Sequence, residues 1–204
     1  MTNSLENSTV LHLMRSKGLS LFYKKGYYNT TISALAEELS ISEDVFKATF
    51  PSKKEFFISI IQNQLLQHTL KLLIEPNSYK ENPFPKILRM LENDISAVEY
   101  EEGDHGLILA KFLSEFNGKD KEITKILLDI LKIWEVNLTS VLKKGQLDGY
   151  VDDFVDTESA ANYIISSYIG IRTVTIEQNK ERLSSPYIDQ LRYYFNSISK
   201  KQVA

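Results

Sequence analysis

Punctuation is scarce in this chain. Over 204 residues there are eight glycines and five prolines, and the apolar residues between them recur at intervals of three and four rather than two. That spacing lays a continuous apolar stripe along a helix and would put every second apolar residue of a strand on the wrong face. Ile123, Ile126, Leu127, Ile130, Leu131, Trp134, Leu138, Val141 and Leu142 give the clearest case and predict a helix over 120–144. The chain therefore reads as all-α, with about nine helices in total.

The breaks define the others. Met14, Gly18, Leu21 and Phe22 share one face of a first helix, which Lys24, Lys25 and Gly26 stop with a cationic last turn and a glycine. Thr31 suits the N-cap of a short second helix with Leu35, Ala36 and Leu39 inward. The three residues Ser40-Ile41-Ser42 then deliver the next cap, Ser42. A third helix over Glu43–Phe50 ends at Pro51, and Ser52 can cap a long amphipathic run from Lys54 to Ile74. EPNSYKENPFP reads as a loop. Helices near 84–101, 105–117, 156–179 and 185–200 follow, broken at EEGD, NGKD, KKGQLDGYVDD and RLSSP.

Composition removes several classes. With 43% apolar residues the chain can bury an ordinary core. No apolar run approaches the roughly 20 residues needed to span a bilayer, and the N-terminus lacks a signal-like pattern, so no membrane partner and a cytoplasmic location are expected. Cysteine is absent, and His12, His68 and His105 stand far apart, so neither a metal site nor a cofactor is expected. Glu99, Glu101 and Glu102 cluster before Gly103, but no nucleophile, base or phosphate loop accompanies them; the chain does not read as an enzyme and no catalytic residue is assigned. His105 reads as a helix-start residue. Residues 1–54 hold seven Lys/Arg against five Asp/Glu, the rest seventeen against twenty-two: +2 and −5, a weak asymmetry.

In the third helix Phe46 and Phe50 point inward, which leaves Glu43, Asp44, Lys47 and Ala48 outward. With the second helix and its three-residue turn this is a helix-turn-helix, whose second helix can enter a major groove. A small helical corner with a solvated charged face is the plainer alternative.

LSLFYKKGYYNTTISALAEELSIS, Phe50 and Pro51-Ser52-Lys53 resemble, in type and spacing, the N-terminal domain of the TetR (tetracycline repressor) family of bacterial transcription regulators. The run GQLDG…D…A…IGIR over 145–172 is a weaker match. The resemblance implies a three-helix helix-turn-helix DNA-binding domain over 1–53 and an effector-binding and dimerisation domain over 54–204. It implies double-stranded DNA, a small-molecule effector and a second copy of the chain as partners. Thr31, Ser42 and Lys53 would meet the DNA backbone, and Glu43, Asp44, Val45, Lys47, Ala48 and Thr49 would lie in or beside the groove. The chain departs from the family at Ser40, usually glycine, and at Lys47-Ala48-Thr49, where aromatic phosphate contacts are usual; Glu43 and Asp44 would repel phosphate unless one accepts from a cytosine amino group.

For the effector, Met90, Leu109, Phe112, Phe116, Trp134 and Tyr163 are the candidate lining, each of a type that is also ordinary core. Dimerisation is expected on the last two helices, with Ala160, Ala161, Ile165, Tyr168 and Ile169 facing Leu191, Tyr194, Phe195 and Ile198 of the partner, unless these stripes pack within one chain. The function implied is a ligand-responsive repressor released from a palindromic operator by a largely apolar effector. The alternative is a helical adaptor that no longer reads DNA.

Overall fold

The computed structural model describes residues 2–74, 81–96, 107–175 and 180–201. Helices α1 (Thr2–Lys25), α2 (Ile32–Leu39), α3 (Glu43–Thr49) and α4 (Lys53–Ile60) come first. The α4 run continues through a π-helical turn at Ile61–Leu65, a short α5 (Leu66–Thr69) and a second π turn at Leu70–Ile74. Then follow α6 (Pro83–Ser96), α7 (Ile108–Phe116), α8 (Lys121–Leu147), α9 (Thr157–Val174) and α10 (Lys180–Ile198). Among the described residues the only extended pairing is an isolated bridge between Val151 and Ser199. The expected all-α architecture is what the chain adopts.

The chain divides into two compact units, one of Met1–Gln67 with Lys111–Leu127, the other of His68–Ala110 with Leu128–Ala204. The first is larger than the 1–53 segment marked out by sequence, because the start of the α4 run and most of α7 complete its core. Phe22, Phe46, Phe56, Phe57, Phe112 and Phe116 are fully buried there. Phe57 meets Phe112 edge-on at 4.9 Å, and Phe116 lies 5.0 Å from Phe57 and 4.9 Å from Tyr27. Gly18 lets α1 approach α4, since a Cβ there would stand 2.5 Å from the Phe56 ring.

The second unit is built on Trp134, Leu138 and Leu142 of α8, Ile164, Ile165 and Tyr168 of α9, Ile87, Leu91 and Ile95 of α6, and Leu191 and Phe195 of α10. The periodicity along α8 is as expected: Ile123, Leu127, Ile130, Trp134, Leu138 and Leu142 are buried, with Ile126, Leu131 and Val141 half-buried beside them.

Some boundaries differ. Pro83 and Pro85 open α6 instead of belonging to the loop before it, as suits a first turn whose N–H groups have no helical acceptor. RLSSP does not break the chain: Pro186 lies inside α10, where Ser185 and Pro186 are exposed and water can take the place of the lost backbone bond. Gly145-Gln146-Leu147 extend α8 past the expected end. His105, Glu99, Glu101 and Glu102 fall outside the described residues.

Candidate nucleic-acid interface

The turn between α2 and α3 is fixed by backbone chemistry. Ser40 takes a left-handed conformation, φ 57°. Its N–H donates to Glu37 O at 3.0 Å while Ile41 N–H donates to Ala36 O at 3.0 Å, the paired bonds of a Schellman stop. A left-handed residue is needed here, which explains why glycine suits the position. Ser42 follows in extended conformation and its Oγ accepts from Val45 N at 3.3 Å. Thr31 caps α2 by accepting from Ala34 N at 3.1 Å, and Ser52 caps α4 by accepting from Glu55 N at 3.1 Å. All three expected caps are therefore present.

On α3 the inward side is Phe46, fully buried, with Phe50 just beyond the helix at 7% exposure. Phe46 meets Phe56 edge-on at 5.2 Å, and Phe50 lies 4.6 Å from Phe56, so the helix is held by aromatic packing on one side only. Ser42, Asp44, Val45, Lys47, Ala48 and Thr49 are exposed and Glu43 is half-buried. Val45 presents an apolar surface, 51% exposed, in the middle of this face.

The charges of this face are partly engaged. Lys47 Nζ donates to Glu43 Oε2 at 3.1 Å one turn earlier, and this bond holds the Glu43 carboxyl below the ordinary carboxylate value. Lys53 turns toward the protein: its Nζ donates to Tyr27 O at 2.9 Å and Thr30 O at 2.8 Å and stands 4.3 Å from the centre of the Tyr27 ring. Burial pushes its ammonium down from the usual lysine value. Lys53 thus braces the loop between α1 and α2, with one ammonium proton remaining for an outside acceptor.

The expected effector lining is not gathered in one place. Phe112 and Phe116 belong to the first unit's aromatic core. Met90, Leu109 and Trp134 are buried in the second unit, while Tyr163 is 50% exposed and pairs with Tyr194 at 4.5 Å. The expected dimer residues also divide. Ile165, Tyr168, Leu191 and Phe195 are buried within the chain's own core, and Ile169 and Ile198 pack partly against it. The four buried ones are spent on the chain's own core against α6 and α8, while Ile169 and Ile198 keep part of their surface open.

Sequence reasoning passed over one group. Arg172 of α9 and Asp94 of α6 form an ion pair, Nε to Oδ2 at 3.7 Å, with both side chains 1% exposed. A charged residue at the buried phase of an apolar helix was the available signal. Among the described residues no cluster of three or more His or acidic side chains could hold a metal ion, and no helix is long and apolar enough to cross a membrane.

A capped α2, a Schellman turn and an α3 with one aromatic and one open face define a helix-turn-helix protein of the all-α class. Residues 16–60 match the model for the N-terminal domain of bacterial regulatory proteins of the tetR family. The chain is 28% identical over 189 residues to an uncharacterized HTH-type transcriptional regulator in the lacX 3′ region of Lactococcus lactis subsp. lactis, covering 89% of this chain and 90% of that one. In structure it is similar to a TetR transcriptional regulator from Chloroflexus aurantiacus J-10-FL, with TM-score 0.80 at 14% identity over 96% of this chain and 98% of the other. It is also similar to FadR from Bacillus subtilis in complex with stearoyl-CoA, with TM-score 0.68 at 16% identity over 87% and 95%.

Proposed function

We propose that the chain binds a palindromic operator as a homodimer, represses from it, and is released by a small, largely apolar effector held in the second unit. The open face of α3 carries the reading: Asp44, Val45, Lys47, Ala48 and Thr49 are exposed on a helix whose inward side is Phe46, with Phe50 buried just beyond it. Val45 suits the methyl group of thymine, and one of Glu43 and Asp44 suits a cytosine amino group. Thr31 and Ser42, at helix N-termini, can each donate a hydroxyl proton to phosphate while their oxygens cap.

The homodimer would use the outer side of the last two helices. Tyr163, Ser166, Gly170 and Val174 form an exposed stripe on α9, and Tyr193 is 67% exposed on α10. These replace the buried residues first expected there. Effector binding would act on the helical run from Lys53 to Ile74, whose two π turns are places where a hydrogen-bond register can change. A coupling of about 1–3 kcal/mol would change operator affinity roughly 5- to 150-fold.

A gel shift with the DNA upstream of the gene, repeated from low to high salt, tests this. Wild type should shift it with affinity falling steeply as salt rises, and Val45→Glu should cost at least about tenfold. Absence of a shift at low salt would favour the adaptor, a reading supported by Lys47 and Lys53 already bonding within the protein.

A further inference from the structure

The second unit buries a cation whose donors are largely unused. Arg172 sits one turn beyond Tyr168 on α9, 1% exposed. Asp94 offers it Oδ2 at 3.7 Å, a charge contact too long for a hydrogen bond, and the Tyr168 hydroxyl donates to that same oxygen. Nε, Nη1 and Nη2 of Arg172 are all buried without a hydrogen-bond partner. Trp134 Nε1, on a ring that stands edge-on to Tyr168 at 5.9 Å, is a further buried donor without one.

Taking a guanidinium out of water is costly, and that cost is recovered only when its protons find acceptors. A methionine or leucine would fill the same volume without it. The two terminal nitrogens present parallel N–H bonds, the geometry that matches a carboxylate in two-pronged fashion. The unit that holds Arg172 has an apolar core, in which Leu91, Ile95, Trp134, Leu138, Ile164 and Ile165 are buried. Asp94 already offsets the single positive charge, which disfavours a phosphate dianion more than a monoanion.

We infer that Arg172 is the anchor for a carboxylate carried by an otherwise apolar effector. This rests on the reading that the second unit holds the effector, and it adds the polar group that effector must bear. The body of the acid can be aliphatic or aromatic; the carboxylate is common to both.

Trp134 is the single tryptophan of the chain and reports on this cluster by its fluorescence. Full-length protein is titrated with decanoate and 2-naphthoate, and with their methyl esters, which keep a carbonyl but lose the charge. At least one acid should bind wild type about tenfold or more tighter than its ester, and Arg172→Met should abolish that difference. Should Arg172→Met leave Asp94 without a counter-charge and fail to fold, the double variant Asp94→Asn/Arg172→Met keeps the comparison. Esters binding as tightly as acids would overturn the inference while leaving a small molecule in the second unit. Undiminished acid binding by the variants, or no Trp134 response to any of the four probes, would overturn it too.

Discussion

Ser40 and Gly18 show how much one Cβ can decide. Ser40 carries a side chain in the left-handed region, φ 57°, at a cost of about 1–2 kcal/mol relative to glycine's freedom there. Part of that is offset because glycine loses more entropy on folding. Ser40→Gly should therefore stabilise the protein by up to about 1 kcal/mol, or about 2–4 °C for a chain of this size. Gly18 has the opposite sign, because its missing Cβ is the space filled by the Phe56 ring. Gly18→Ala should destabilise by about 1–3 kcal/mol through overpacking. Thermal melts of both variants beside wild type check the pair, and movement in the same direction would refute it. Lys53 belongs to this scale as well: read from sequence as a phosphate contact, it spends two of its three protons on Tyr27 and Thr30 carbonyls. Nothing in local sequence announces that the loop would fold back over it.

At the scale of elements, the caps and most helix boundaries were legible, and the clearest exceptions are the end of α8 and the start of α10. Thr31, Ser42 and Ser52 are hydroxyls directly before apolar-periodic segments, and each caps as its type predicts. Asp120 does the same for α8, its Oδ1 accepting from Glu122 N at 3.0 Å and Ile123 N at 3.1 Å, while Oδ2 meets Lys54 Nζ at 2.8 Å. The Lys54 bond first, then the Ile123 N–H, hold its carboxyl below the ordinary aspartate value. A depressed folded-state value means that the stabilisation is present above the unfolded-state value, near 4, and is lost as pH falls through the folded one. Asp120→Ala should cost about 1 kcal/mol at pH 7 and flatten the stability loss below pH 4, measured by urea unfolding across pH 2–7. An unchanged acid limb would contradict the assignment. The α10 start was illegible because Pro186 usually ends helices; only its exposed placement shows why it does not.

For the molecule as a whole, the proposed dimer surface gives the sharpest test. Gly170 is exposed and a Cβ there would meet nothing within 4 Å, so a large side chain is free in a single protomer. Gly170→Trp should keep the thermal midpoint of the protomer while turning dimer into monomer in sedimentation velocity, with operator affinity reduced by at least about tenfold from loss of the second half-site. A variant that sediments as wild type would overturn the exposed α9 stripe as a dimer surface. Two clefts beside α6 and α10, of about 360 and 400 Å³, share Glu92 and Arg192, and none of Met90, Leu109, Phe112, Phe116, Trp134 and Tyr163 lines either.

Periodicity, caps and scarce breaks determined the helices and, through one spacing of residue types along 21–57, the helix-turn-helix, because these depend on neighbours within a turn or two. Which side of α9 and α10 faces the chain's own α6 and α8 was decided only in three dimensions, since the two sides of a helix with apolar residues on both look alike in one. The burial of Arg172 beside Asp94 is of the same kind: the partners lie on separate helices, and only packing shows that both side chains are 1% exposed.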